Sequence, residues 1–416
     1  MHIVFVTTEL ATDNNSSGGL ATFTANMARI FVSHGHKVRI LLATIKEQNL
    51  EFDDNIVLET VYVSKAVWDL CDRIAKACIW SKDSKALRRV FIQIYHSEQI
   101  KRKIKKIDDK EKIDIVHYCN LDSVAFRVNK SIPYLIRISG LGYTHRAANM
   151  YDCNIEYEDN ELTANEKLLI NTMKKSRFVI SPSYKFADIV NRKFNIKPMI
   201  IESPFVLKKQ DWNNVFFDQF MLGSKKYVIH YAAVLRYYKG THVVAELAKE
   251  LLGNHPDLYL VLAGGCSQMQ DKSGNIMMAH ELVKQNAGEY ADRIIYVGKV
   301  VREQLYPLIQ NAELCILPSR LENLPNACIE AMAMGKIVVA TNEAGFEQLI
   351  DNGSNGFLCE KDNSESFLRG IESALSMSEE EKKLMESRAV ETIKRLSPDS
   401  IYKQYLDFYE KVIREW

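Results

Sequence analysis

One pattern constrains this chain most: a short, wholly apolar run, then a helix-period stretch, then a second apolar run, and the succession occurs twice. Ile3 to Thr7 is apolar at nearly every position. Leu20 to Ser33 places Leu20, Phe23, Met27, Ile30 and Phe31 on one helical face, and the Gly35 of His34-Gly35-His36 suits a left-handed helix terminator. Val38 to Ala43 is the second run. The succession restarts near Lys226: Tyr227 to Leu235 is apolar, Thr241 to Leu252 helical, Asn254-His255-Pro256-Asp257 a turn, and Leu258 to Ala263 apolar again. Ile113 to His117, Tyr134 to Ile138 and Phe178 to Ser181 read as further strands. Runs without a polar face are strands covered on both sides, as parallel strands are, and strands alternating with helices predict parallel sheets. At 416 residues the chain exceeds a single ordinary core and suits two domains. The polar, broken stretch Leu207 to Lys226, which includes Lys208, Lys209, Gln210 and Asp211, is the expected linker.

Composition excludes several classes. A net charge of +1 argues against a nucleic-acid binder, which carries a basic excess. The opening Met-His-Ile-Val-Phe-Val enters a strand at once, without a basic leader or cleavage site, and no apolar run reaches membrane-spanning length. Both predict a cytoplasmic protein. The eight cysteines (Cys71, Cys78, Cys119, Cys153, Cys266, Cys315, Cys328, Cys359) show no zinc or redox spacing and read as reduced, structural residues. No G-x-G-x-x-G fingerprint follows a strand, which argues against a dinucleotide oxidoreductase.

The chemistry concentrates in Ser319-Arg320-Leu321-Glu322-Asn323-Leu324-Pro325-Asn326-Ala327-Cys328-Ile329-Glu330. Leu314 to Leu317 lead into it as a strand, and Ala331-Met332-Ala333-Met334-Gly335 continue a helix. Glu322 is thereby expected in a loop at a strand's carboxyl end, where open α/β sheets bind ligands. Pro325 is expected in the helix's first turn, and Glu330 within the helix. The N–H groups of Asn326 to Cys328 form a phosphate-ready helix N-terminus. Two carboxylates beside an anion site suit a nucleotide-sugar.

Taken whole, this segment resembles the E-x7-E signature of the retaining glycosyltransferases of family 4, whose fold is GT-B. The resemblance implies two Rossmann-like domains facing a cleft. The aromatic-rich helix Ile401 to Trp416, after the break at Ser397-Pro398, would cross back to the first. The expected domains are then 1–206 plus 398–416 on the acceptor side and 207–397 for the nucleotide-sugar. It further implies that Glu330 binds the ribose and Glu322 the sugar ring. Asn323, Leu324, Pro325, Asn326, Ala327 and Gly345 join them around the donor, and Gly264, which ends a strand with Gly265, lies near the base. Where the family has G-R-L-x-x-x-K-G this chain has Ala233-Val234-Leu235-Arg236-Tyr237-Tyr238-Lys239-Gly240. Lys239 is retained as a diphosphate cation, but Val234 replaces the arginine. Arg236, two residues on, faces the same side of an extended chain and is placed to substitute for it. Gly18-Gly19 resembles the family's glycine loop. In Pro133 to Gly140, Ser139 stands where the family usually has a histidine. His145 and His117 are further acceptor-side candidates, His117 either a structural residue or an acceptor contact, whereas His230 reads as a core residue.

The expected activity is transfer of a sugar, UDP-linked by default, to a glycan, polysaccharide or lipid-linked hydroxyl, without metal or other cofactor. Glu322, Lys239 and Arg236 would be the catalytic set. Charge on the leaving diphosphate would be met by the cations and the helix N-terminus. Two alternatives stay open: a GT-B sugar-nucleotide epimerase, and a non-catalytic subunit that binds sugar-nucleotides. Residues 65–106 interleave Trp68, Ile74, Ile79, Trp80 and Phe91 with Arg73, Lys76, Lys82 and Arg88, ending in Lys101 to Lys106. That composition suits either peripheral membrane contact or an ordinary helix pair with a solvated basic face.

Overall fold

A computed structural model describes residues 1–12, 18–45, 52–78, 84–149, 162–207 and 212–416. Asp13 to Ser17 of the glycine loop, Ile79, Trp80, Lys82, Cys153 and the linker residues Lys208 to Asp211 lie outside the described residues. Two compact units form: Met1–Thr144, Asp159–Pro204 and Pro398–Trp416 make one, and His145–Glu158 with Phe205–Ser397 the other.

The first unit is built on a seven-stranded parallel sheet. Its strands are β1 (His2–Thr7), β2 (Lys37–Thr44), β3 (Val57–Tyr62), β4 (Ile115–Cys119), β5 (Tyr134–Arg137), β6 (Val179–Ser181) and β7 (Met199–Ile200), in the order β3-β2-β1-β4-β5-β6-β7. Every residue of β1 and β4 is buried, as central parallel strands require. The helix Gly19–Ser33 lays Leu20, Phe23, Met27, Ile30 and Phe31 into the core, and Gly35, at φ +79°, turns the chain back.

The last helix, Pro398–Arg414, packs in this unit. Its buried face carries Ile401, Tyr405, Phe408, Tyr409 and Val412. The Tyr409 ring stacks on Phe31 at 5.2 Å, and its hydroxyl lies 2.5 Å from His117 Nδ1. Tyr402 hydroxyl meets His36 Nε2 at 2.8 Å. These polar tips fix the register of an otherwise apolar contact.

The second unit carries six parallel strands: β8 (Lys226–Leu235), β9 (Leu258–Cys266), then, beyond a small antiparallel hairpin of β10 (Gln268–Gln270) and β11 (Ile276–Met278), β12 (Ile294–Gly298), β13 (Cys315–Leu317), β14 (Val338–Thr341) and β15 (Phe357–Cys359). Their order is β12-β9-β8-β13-β14-β15. The stretch read as a linker is partly helical, with Val215–Gln219 forming a short helix. Its sequence Val-Phe-Phe-Asp-Gln is too short for a helical period to register. The seven described cysteines are all free.

Candidate functional site

Two neighbouring parallel strands set the site. β13 pairs with β8 on one side and β14 on the other, so the loops leaving their carboxyl ends converge. The loop after β8 runs Arg236, then a single tight turn Tyr237–Lys239, then the helix Thr241–Asn254. Gly240 makes that turn possible: its φ is +69°, and a Cβ there would lie 1.8 Å from the carbonyl oxygen of Pro318 in the loop after β13. The amide of Arg320 donates to the Tyr238 carbonyl at 3.0 Å, tying the two loops together. Arg320 itself is buried. Its Nε reaches Asp362 at 2.9 Å, its Nη1 the carbonyl of Ala148 at 3.1 Å, and Asp362 also meets His242 at 2.9 Å.

The convergence places Lys239 Nζ 2.5 Å from Glu322 Oε1. From the third strand end, the Ala344 carbonyl accepts from the amide of Glu322 at 2.6 Å. Gly345, at φ +103°, lets the backbones touch, since its Cβ would meet the Glu322 carbonyl at 2.6 Å. Gly345 thus makes its close approach to the main chain of Glu322. Gly264, at φ +134°, makes a comparable approach to Ala232 within β8.

The helix Asn326–Ala333 begins at Pro325, which is its N-cap and not a member of the first turn, and no side chain caps it. Its early N–H groups thus remain an anion-binding end. Glu330 is buried on this helix. Arg302 Nε donates to its Oε1 at 3.1 Å, with the Tyr306 hydroxyl 3.5 Å from the same oxygen. Burial pushes the Glu330 carboxyl above the usual range and Arg302 pulls it back. Tyr231 of β8 donates to the Ala327 carbonyl at 2.5 Å.

His145 belongs to this unit. Its ring stacks on Tyr238 at 4.9 Å, and desolvation followed by the charge of Lys239 lowers its pKa. Glu322 and Arg236 also act on it electrostatically. Lys239, Glu322, Arg236 and His145 are thus neighbours, while Glu330 lies a helical turn beyond the anion-binding end. Asn323 and Leu324 lie in the loop between the two glutamates.

The remaining candidates sit in the first unit. Gly18 and Gly19 open the helix Gly19–Ser33. The amide of Ser139 donates to Asn120 at 2.8 Å, and its hydroxyl accepts from Arg137 at 3.1 Å. His117 does not end a strand as expected. It sits inside β4, 2% exposed, between Phe5, Phe23 and Tyr405, a packing position. His230 is a core residue, its ring nitrogens 2.9 Å from the Ile316 carbonyl and 3.1 Å from Thr241.

Sequence reasoning missed Arg302 and Tyr306, whose spacing of four marks one helical face but names no partner. It also missed Glu9, after β1, whose carboxyl is pushed up by burial and by Asp122. Among the described residues no group of three His, Cys, Asp or Glu side chains is placed to hold a metal ion.

Comparison with known proteins bears on the fold and on the second unit. Residues 214–389 match the family described as Glycosyl transferases group 1. A Haemophilus influenzae protein named as an uncharacterized glycosyltransferase is 28% identical over 38% of this chain and 43% of its own length, so the chain spans less than half of that relative. The Campylobacter jejuni N,N'-diacetylbacillosaminyl-diphospho-undecaprenol alpha-1,3-N-acetylgalactosaminyltransferase is 24% identical over 71% of this chain and 78% of its own. Sucrose-phosphate synthase from Thermosynechococcus elongatus superposes with a TM-score of 0.72 at 15% identity, covering all of both chains. An Anabaena protein, HepE, solved with UDP, superposes at 0.65 and 14% identity, covering 99% of this chain and 100% of its own. The fold is GT-B. The match to glycosyl transferases group 1 lies within the second unit.

Proposed function

We propose that this protein is a retaining, metal-independent glycosyltransferase that moves a hexosyl group from a nucleotide-sugar, UDP-linked, to a hydroxyl of a glycan or lipid-linked acceptor. The observation that carries the reading is the Lys239–Glu322 pair beside the uncapped N-terminus of the helix Asn326–Ala333. A cation and a row of free N–H groups are what a departing diphosphate needs, because its charge grows as the bond to the sugar breaks. Glu322 accepts sugar hydroxyls, Glu330 those of the ribose, and Arg236 adds a second cation. The acceptor oxygen forms the new bond to the anomeric carbon, the diphosphate keeps the electron pair of the old one, and the acceptor's proton leaves with the products. The UDP bound by the Anabaena neighbour supports that base, and the undecaprenol-linked substrate in the Campylobacter relative's name supports a lipid-linked acceptor.

The test is incubation with a panel of nucleotide-sugars and acceptors, reading free nucleoside diphosphate and the product's anomeric configuration by NMR. Diphosphate release with an unchanged anomer is expected. Isomerised donor without release would make the protein an epimerase, and binding without either would make it a non-catalytic subunit.

A second proposal concerns place: a cytoplasmic protein that touches an anionic membrane through the helices Lys65–Ala77 and Ser84–Asp108. Leu70 and Ile74 are 48% and 45% exposed beside the exposed Arg73, and this mixed face supports it. No described helix is long and apolar enough to cross a membrane.

A further inference from the structure

Glu330 has a partner that the strand–loop–helix motif does not call for. Arg302 is the first residue of the helix Arg302–Gln310, and Tyr306 follows one turn later. Their side chains converge on a single oxygen, Oε1 of Glu330, at 3.1 and 3.5 Å. The guanidinium side chain is 38% exposed and the glutamate side chain 8%, so the cation reaches in from the surface to an anion held inside. A carboxylate can accept at both oxygens, and both of these bonds fall on the same one.

We propose that Arg302 is a positioning residue of the nucleotide site: by holding Oε1 it fixes the plane of the Glu330 carboxylate and leaves Oε2 to the vicinal hydroxyls of the ribose. This rests on the donor reading given above. Arg302 also keeps Glu330 in the form that accepts hydrogen bonds, because burial alone favours the protonated acid, which donates one. The other titratable groups near Glu330 do not replace it. Tyr306 and Tyr231 are held neutral by burial, as are the thiols of Cys315 and Cys328. Glu303 acts on Tyr306. On the helix Glu379–Lys394, which packs against Asn326–Ala333, Glu386 feels Lys336, Lys382 and Glu313, and Lys382 pairs with Glu313 at 3.8 Å. Arg302 is the cation that faces Glu330 among the described residues.

The experiment measures UDP affinity calorimetrically between about pH 5.5 and 8.5 for the wild type, Arg302→Gln and Arg302→Lys, and titrates the Glu330 carboxyl carbon by NMR in the nucleotide-free protein. Losing an adjacent opposite charge raises a carboxyl's pKa by about one to three units. Arg302→Gln should therefore bind nearly as well as wild type at the alkaline end and about tenfold or more weaker near pH 6. Arg302→Lys should recover most of the loss, and the Glu330 midpoint should rise in Arg302→Gln. A binding profile of unchanged shape, tighter binding in Arg302→Gln, or an unmoved midpoint each overturns the proposal. If the wild type binds neither UDP nor GDP at any pH, the donor reading fails. An unmoved midpoint alongside normal UDP binding instead removes the role of Arg302 alone.

Discussion

Lys239 Nζ lies 2.5 Å from Glu322 Oε1, bridging two loops that leave neighbouring parallel strands. Both side chains are largely buried, 25% and 14% exposed, so each loses solvent and gains the other's charge. On the donor reading proposed above, a diphosphate entering this site would compete with Glu322 for Lys239 and free the carboxylate for the sugar.

Glu322→Gln and Lys239→Ala should consequently affect nucleotide binding differently. Glu322→Gln leaves Lys239 without its anion, and UDP should bind as tightly as to wild type or several-fold tighter while sugar transfer falls. Lys239→Ala removes a charge-assisted contact of about 1.5–3 kcal/mol, and UDP affinity should fall by about 10- to 150-fold. Calorimetry on both variants decides it: UDP weakened equally by both would mean that the pair acts only to hold the loops.

Arg236 provides a separate test, because Val234 occupies the position at which the resembled family carries its arginine. Its side chain is half-buried, and its charge is felt by both His145 and Tyr238. Arg236→Ala should cost nucleotide affinity on the scale of Lys239→Ala, about 1.5–3 kcal/mol. A change within about 0.5 kcal/mol, as for an ordinary surface residue, would leave Lys239 as the site's single working cation.

Local pattern carried much of this architecture. β1, β2, β8 and β9 are legible because their apolar runs, interrupted inside β2 by Arg39 and inside β8 by His230, leave no polar face, and the break at Ser397-Pro398 marks the start of the last helix. Lys239 and Glu322 were legible as candidates for the same reason, each standing just past such a run. Their ion pair was not, since it depends on β8 and β13 being neighbours. Arg302 on Glu330 was hidden similarly: helical spacing relates Arg302 to Tyr306, and nothing in it relates either to a helix that starts 24 residues later. His117 could not be decided from sequence, because an apolar strand looks alike whether its polar residue meets solvent or, as here, the tyrosines of the last helix. Short elements such as β10, β11 and Val215–Gln219 span too few residues for any period to show.

Gly240 and Gly35 separate backbone strain from crowding. Both have positive φ, +69° and +79°, but a Cβ at Gly35 meets nothing within 4 Å while one at Gly240 would overlap the Pro318 carbonyl at 1.8 Å. Gly35→Ala should cost about 1–2 kcal/mol, the left-handed penalty alone. Gly240→Ala should cost well beyond that, because the loop carrying Glu322 must move, and UDP binding should fall with it. Denaturant melts compare the two, and equal losses would show that the Pro318 loop yields freely.

Acid sensitivity follows from the buried histidines. Burial holds His230 down to about 4 and His117 well below its ordinary value. In the unfolded chain each takes up its proton near pH 6.5, so below that pH the unfolded state binds more protons. Stability is then fully present above about pH 6.5 and is lost as pH falls, by about 1.4 kcal/mol per pH unit for each histidine until its folded pKa is reached. His230→Gln should flatten the dependence between about pH 6.5 and 4 by that slope, measured by urea unfolding at several pH values. An unchanged slope would place the acid sensitivity in other groups.

The helix pair Lys65–Ala77 and Ser84–Asp108 decides the membrane question. Trp68, Val67 and Phe91 are consumed in packing against Val63, Cys71 and Ile92. Many cations are locally paired: Lys76 and Arg88 with Asp72, Arg102 with Glu98, and Lys103 with Glu59. Leu70, Ile74, Arg73, Lys105 and Lys106 remain exposed. Each basic residue near an anionic surface adds about 1 kcal/mol, so the peripheral contact proposed above should be modest and salt-sensitive. Sedimentation with phosphatidylserine-containing vesicles should show binding at low salt that is lost at high salt, and weakened by Leu70→Ser with Ile74→Ser and by replacing Lys105 and Lys106 with Gln. Absence of binding at low salt, or binding indifferent to both sets of changes, would assign this face to solvent and favour an acceptor that is met in solution.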